Sequence, residues 1–229
     1  MKKVFFLLSA AAVTLFFGAC HKSSSSSPAT TANVMFVNGC TGAGVVQVTA
    51  NGTSVAGASA LGFLNYTPYQ SIAEGSAVAL AWSINTSGLI TPLISQSVSL
   101  TAGSYYSIYT GGIFTKPTFI YAADDMAAPS SGFAKVRFVN LSGDTLNKSC
   151  FIGSTNVATN VGYGTITPFY QVAAQSGVTV LFQDPSNPTK LATLSSQSFG
   201  SGKIYTIMLT GISAGTGSTA LGLKIINNN

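Results

Sequence analysis

The chain contains the same unit twice, at an offset of roughly one hundred residues. The segments that recur in the same order are Asn33–Asn38 with Lys135–Asn140, Gly62–Phe63 with Gly162–Tyr163, Thr67–Tyr69 with Thr167–Phe169, Val78–Trp82 with Val178–Phe182, Ser95–Ser97 with Ser196–Ser198, and Tyr106–Ile108 with Tyr205–Ile207. Chance does not produce a collinear series of this kind, so the chain consists of two homologous units. A stretch rich in Ala, Pro, Ser and Gly, residues 122–132, separates them.

Apolar residues within each unit alternate with a period of two, which is typical of half-buried strands. Val78, Leu80 and Trp82 share one face of such a strand, and turn signals such as Asn51-Gly52 separate the apolar runs. This pattern predicts an all-β protein with about seven short strands per unit. We expect two tandem immunoglobulin- or transthyretin-like β-sandwich domains at residues 32–125 and 133–229, joined by a linker at 126–132.

The first residues have the layout of a secretory signal. Lys2 and Lys3 precede an apolar run, residues 4–17, that is too short to span a bilayer. The segment Phe17-Gly18-Ala19-Cys20 resembles the lipobox of bacterial lipoproteins of Bacteroidota type, with Phe17 in place of the commoner Leu. It implies a cleaved signal at 1–19 and a lipid on Cys20; the alternative is an ordinary cleaved signal. A Ser-rich tether at 20–31 would then hold the folded part at the outer membrane, on a face that the sequence leaves undecided.

The charge pattern excludes nucleic acid as a partner. Charged residues make up 7% of the chain, and the basic ones are scattered singly along it. No patch neutralises several phosphates at once. The expected partners are the membrane, through the N-terminal lipid, and an envelope protein or a glycan.

Residues suited to catalysis are scarce, so we expect no enzyme, no cofactor and no metal site. The single histidine, His21, falls in the predicted tether, where it cannot hold the geometry of a general base. Asp124 and Asp125 favour a solvated linker over a calcium site, and Asp184 before Pro185 favours a turn. The other carboxylates are Glu74 and Asp144.

Two further cysteines and one short motif leave alternatives open. Cys40 and Cys150 could pair in an oxidising compartment, but their non-equivalent positions in the two units favour two buried, free thiols. Asp144-Thr145-Leu146 is similar to a short O-glycosylation pattern, and an ordinary loop is the simpler interpretation.

Aromatic residues are the remaining candidates for binding. Trp82 shares the parity of Val78 and is equivalent to Phe182, so we expect it in a core. Tyr106 and Tyr205 are also equivalent, and we expect both to point inward with hydroxyls bound to the backbone.

The candidate binding residues are four other tyrosines. Tyr105 and Tyr109 lie on the opposite parity, on an outward face that meets the other domain, a partner or a ligand. Tyr66 and Tyr69 flank Pro68, where a purely conformational role of the Thr-Pro pair is the simpler alternative.

Several of these segments together resemble the family of domains of unknown function 4397 (DUF4397). They are Lys135–Asn140, Asp144, Gly162–Gly164, Tyr170–Val172, Gly202–Thr206 and, more loosely, Gly103–Ser107. The family's usual His-Ala-Ser-Pro-Asp stretch is replaced here by Gly39–Gly42 and by Leu141–Asp144. The resemblance implies tandem sandwich domains in an envelope lipoprotein and implies no activity.

The sequence therefore predicts a non-catalytic envelope lipoprotein that presents two β-sandwich domains for binding or for structural or adhesive contacts. The alternative is a glycan-binding lipoprotein of a polysaccharide-uptake system.

Overall fold

The computed structural model describes residues 30–229, apart from the side chains of residues 190 and 191. The predicted signal peptide, Cys20 and nearly all of the tether lie outside these residues. The described part is built from strands, and its only helical element is a short 3-10 turn at Gly217–Thr219. The all-β prediction is confirmed. No helix among the described residues is long and apolar enough to cross a membrane.

The first half contains eight strands in two four-stranded sheets. The strands are β1 (Thr31–Asn38), β2 (Val46–Ala50), β3 (Thr53–Ser54), β4 (Gln70–Ala73), β5 (Gly75–Thr86), β6 (Leu89–Leu100), β7 (Tyr105–Ile113) and β8 (Lys116–Ala123). One sheet has the order β4-β1-β7-β8 and the other β3-β2-β5-β6. The pair β1–β7 is parallel and every other pair in this half is antiparallel.

The second half repeats this arrangement. Its strands are β9 (Phe133–Asn140), β10 (Lys148–Ile152), β11 (Thr155–Val161), β12 (Tyr170–Ala173), β13 (Gln175–Asp184), β14 (Asn187–Phe199), β15 (Ile204–Thr210) and β16 (Gly222–Asn227). They form the sheets β12-β9-β15-β16 and β11-β10-β13-β14. Each half thus has eight strands, one more than expected.

The repeat seen in the sequence holds residue by residue in the strand register. Val34 lies opposite Tyr106 in the pair β1–β7, and their counterparts Val136 and Tyr205 lie opposite each other in β9–β15. The hydroxyls of the two tyrosines are bound as expected, because the N–H of Thr101 donates to Tyr106 at 3.2 Å and that of Gly200 donates to Tyr205 at 3.1 Å.

Each half buries its own core between its two sheets. In the first core Trp82 is 1% exposed and packs against Phe36, with 5.7 Å between ring centroids. In the second core Phe182 and Phe138 form the equivalent pair at 5.5 Å. The expectation that Trp82 belongs to a core is confirmed.

One core position differs in chemistry between the halves. Val46 pairs with Ile84 across β2 and β5, whereas the equivalent Lys148 and Asp184 form a buried ion pair at 3.5 Å. Hydrogen bonds from Ser186 hold the pKa of Asp184 at about 2, below its ordinary value. Those bonds also give Asp184 the turn-forming role that the sequence predicts.

The two remaining cysteines are free and buried, one in each core. Burial raises the pKa of Cys40 to about 11 and raises that of Cys150 still further. Both thiols therefore stay protonated near neutral pH and are poor nucleophiles. The interpretation as small apolar side chains, rather than a disulfide, is confirmed.

Candidate functional site at the seam between the halves

A third core joins the two halves. The sheets β4-β1-β7-β8 and β12-β9-β15-β16, called here the inner sheets, face each other with the sides that point away from their own cores. The buried side chains of this seam core are Met35, Val37, Tyr109, Ile120, Val139, Leu141, Met208 and Ile226. Tyr69 and Ile166 pack against them at the edge.

The same face of each half contributes to this contact. Val37 and Val139 occupy equivalent positions in the sequence repeat, and so do Tyr109 and Met208. Gly39 and its equivalent Leu141 also meet, because a Cβ placed on Gly39 would collide with Leu141 Cδ1. Two copies of one face can meet in this way only about an approximate twofold axis, which is the geometry of an isologous dimer within one chain.

A buried ion pair crosses the seam. Arg137 Nη1 donates to Asp124 Oδ1 at 2.6 Å, and the two side chains are 1% and 0% exposed. The same guanidinium donates from Nε to Thr206 at 2.9 Å and from Nη2 to Tyr109 at 2.8 Å. Its carbon lies 4.5 Å from the ring centroid of Phe169. Arg137 is thus paired, hydrogen-bonded and stacked at once, as a buried guanidinium must be.

Residues of the first half donate hydrogen bonds to the other carboxylate oxygen of Asp124. Tyr69 Oη donates to its Oδ2 at 2.6 Å, and Ser107 Oγ donates to the same oxygen at 2.5 Å. Burial, followed by the nearby Asp124 charge, raises the pKa of Tyr69 far above its ordinary value. Burial also raises the pKa of Tyr109. Neither phenol loses its proton near neutral pH, so both stay available as hydrogen-bonding groups that hold the halves together.

The ion pair of Arg137 and Asp124 has no charged counterpart on the other side of the approximate twofold axis. Asp124 follows β8 and Asn228 follows β16, and each donates its backbone N–H to the strand beside it at 2.8 Å. Arg137 is equivalent to Met35. One side of the axis therefore carries the charged pair Arg137 and Asp124, and the other side carries Met35 and Asn228.

The structure corrects the interpretation of Asp124 made from the sequence. Asp124 does not lie in a solvated linker, because its carboxylate is buried against Arg137. Arg137 does point away from the core of its own half, but this outward position is covered by the other half. Asp125 fits the solvent-exposed prediction better: its side chain is 59% exposed and pairs with Lys135 at 2.6 Å.

The four tyrosines named as binding candidates fall in different surroundings. Tyr109 is 0% exposed inside the seam core, so it offers no surface to a ligand. Tyr105 is half-buried and packs edge-to-face on Tyr69, with 5.0 Å between ring centroids. Tyr66 is 38% exposed and lines a cleft of about 290 Å³ together with Tyr69, Met35 and the residues 227–229.

The Thr-Pro segment beside these rings has a conformational role in both halves. The hydroxyl of Thr67 accepts the N–H of Phe36 at 3.1 Å, and the hydroxyl of Thr167 accepts that of Phe138 at 3.0 Å. The hydroxyl of Thr145, in the short glycosylation-like motif, is buried and bonded to Asn140. In this conformation it is not presented to a modifying enzyme.

A second cleft opens between the two halves, and the sequence did not single it out. It has a volume of about 330 Å³ and is lined by Ile113, Lys116, Gly143, Asp144, Tyr163 and Ile212. Ile113 and Ile212 occupy equivalent positions in the repeat: Ile113 ends β7, and Ile212 lies two residues after β15. This equivalence is visible in the sequence and could have drawn attention to the two residues. That they line the same cleft depends on how the halves dock. We call this opening the axial cleft.

Comparisons with known proteins match residues 32–147, just over half of the chain, to a family described as Domain of unknown function (DUF4397). The match covers the whole first half and the first strand of the second. A search of the curated proteins found no match.

Proposed function

The chain belongs to the DUF4397 family, and from that premise we propose that it is a non-catalytic cell-envelope lipoprotein whose two halves act as one rigid binding module. The observation that carries this proposal is the seam core, because a buried contact with its own ion pair fixes one half against the other. We further propose that each half is a sandwich of immunoglobulin or transthyretin type. The two facing four-stranded sheets and the backbone-bound tyrosines support that assignment.

Anchoring by lipid at Cys20 rests on the lipobox-like segment in the sequence. The first strand begins at Thr31, so ten residues separate Cys20 from the described fold. A chain of that length reaches about 35 Å at most. The protein would therefore stand close to the outer membrane, on either face.

An exposed apolar hairpin tip supports a role in contacting a partner. Leu89 and Ile90, at the turn between β5 and β6, are 70% and 55% exposed. The equivalent turn of the second half is polar and contains Asn187. β5 begins beside Thr30, since the Glu74 N–H donates to the Thr30 carbonyl. β5 has twelve residues, so the hairpin tip lies about 40 Å from Thr30, where the tether joins the fold.

The glycan-binding alternative gains less support from the same residues. Recognition of a sugar needs aromatic faces together with free hydrogen-bonding groups. Tyr109 is buried, and the amide of Asn228 beside Tyr69 is bonded to Tyr69 and to Thr206. Tyr66, at 38% exposed, is the most exposed of the four candidate rings.

Replacement of the lipid-bearing cysteine tests the anchoring. In a bacterial host that processes lipoproteins, we expect Cys20→Ala to abolish labelling by radioactive palmitate and to move the protein from the membrane fraction to the soluble fraction. The thioether needed for the lipid cannot form on alanine. His21→Ala, one residue away, should stay labelled and membrane-bound. A Cys20→Ala protein that keeps its label and its place in the membrane would contradict the proposal.

A further inference from the structure

We propose that the axial cleft binds a small amphipathic carboxylate, with its apolar body between the two halves and its carboxylate at Lys116. The inference rests on the proposed function as a binding module and names the ligand class of that module. Clefts between docked domains are the usual place for small-molecule sites, and about 330 Å³ is near the lower limit of the ~300–1,000 Å³ such sites span.

The walls of the axial cleft are apolar and come from both halves. Ile113 contributes from the end of β7, while Tyr163 and Ile212 contribute from loops of the second half. Ile113 and Tyr163 are 37% and 36% exposed, which leaves apolar surface uncovered at the mouth of the cleft. Burial of such surface against an aromatic or aliphatic body stabilises a complex by roughly 25 cal/mol per Å².

Glycines shape the cleft before any ligand arrives. Gly112 has φ +75°, and a Cβ there would lie 2.5 Å from Tyr163 Oη and 2.6 Å from the Lys116 carbonyl. Its missing side chain lets Tyr163 approach β7 closely. At Gly143, in contrast, a Cβ would make only ordinary contacts, the nearest being 3.4 Å from Gly112 Cα. A side chain at Gly143 would thus lie against Gly112 and the Tyr163 ring, in the lining of the cleft.

The cleft carries one charge of each sign, on Lys116 and on Asp144. Asp144 is occupied, because its two carboxylate oxygens accept the Ser213 N–H at 3.1 and 2.8 Å. Lys116 is exposed and forms no ion pair within residues 30–229. Its ammonium can therefore donate to a ligand carboxylate.

Calorimetric titration of the full chain with 3-phenylpropionate, and with its neutral analogue 3-phenylpropanamide, tests the inference. We expect the carboxylate to bind about fivefold more tightly than the amide, which is the effect of one partly exposed ion pair. Lys116→Gln should remove this difference. Lys203→Gln, which removes a second-half lysine that does not line the axial cleft, is the matched control and should preserve it.

A second variant keeps the test decisive. Gly143 does not have a positive φ, so Gly143→Leu adds an apolar side chain to the cleft lining without a strained backbone. We expect it to abolish binding of both compounds while the far-ultraviolet circular dichroism stays unchanged. Equal affinity for the two compounds, undiminished binding by Gly143→Leu, or no binding at about 10 mM ligand would each overturn the inference. None of these results would touch the lipid anchoring, which the Cys20→Ala labelling tests separately.

Discussion

Arg137→Met is expected to lower the free energy of unfolding by about 3–5 kcal/mol, because it leaves the Asp124 carboxylate buried without its counter-charge. Asp124→Asn should cost a similar amount by leaving the guanidinium unpaired. The double variant should regain more than half of either loss, since replacing a whole buried pair by uncharged groups is often close to neutral. It would place Met and Asn on both sides of the approximate twofold axis, as Met35 and Asn228 already stand on one side.

Urea unfolding followed by circular dichroism and by the fluorescence of Trp82 measures these changes. Trp82 is the only tryptophan and lies in the first core, so its signal reports that half while circular dichroism reports both. Lys135→Met is the matched control on the same strand. Its partner Asp125 is 59% exposed and remains solvated, so we expect a loss below about 1 kcal/mol. A double variant as unstable as the sum of the two singles would refute the pairing.

Leu141→Ala is expected to destabilise the protein by about 2–5 kcal/mol, because it opens a cavity in the seam core. Leu141 is fully buried and fills the space that glycines of the first half leave free. A Cβ on Gly111 would lie 2.9 Å from Leu141 Cδ2, and Gly39 leaves even less room.

The matched control for Leu141 lies five residues further along the same loop. Leu146 is 71% exposed, so Leu146→Ala should change the free energy of unfolding by less than about 0.5 kcal/mol. We also expect Leu141→Ala to separate the Trp82 transition from the circular dichroism transition, since the seam couples the halves. Equal changes in the free energy of unfolding for the two leucine substitutions would contradict the claim that the seam core stabilises the protein.

Much of each half follows from local pattern. The alternation around Val78, Leu80 and Trp82 identifies the buried side of β5, and the repeat predicts Phe182 at the same place in the second half. The inward tyrosines Tyr106 and Tyr205 follow from the same parity argument. These features depend on neighbours within one half, which is the range over which strand alternation carries information.

The seam could not be predicted in the same way, because alternation tells which side of a strand a residue occupies and not what covers that side. Arg137 on an outward position is typical of a solvated side chain until the second inner sheet is placed over it. Asp124 sits in a segment whose composition resembles a linker, and its burial depends on Ser107 and Tyr69 from elsewhere in the first half. The axial cleft likewise needs both halves in place.

The distance between the two halves in the lipid-anchored protein tests the central claim most directly. Spin labels on Ser97→Cys and Ser198→Cys would mark equivalent exposed positions on β6 and β14. The native thiols Cys40 and Cys150 are buried with raised pKa values and should stay unlabelled. Double electron–electron resonance spectroscopy should then give one narrow distribution of distances between the two labels, as expected for halves fixed by the seam core. A broad distribution would show two independently moving domains and contradict the account.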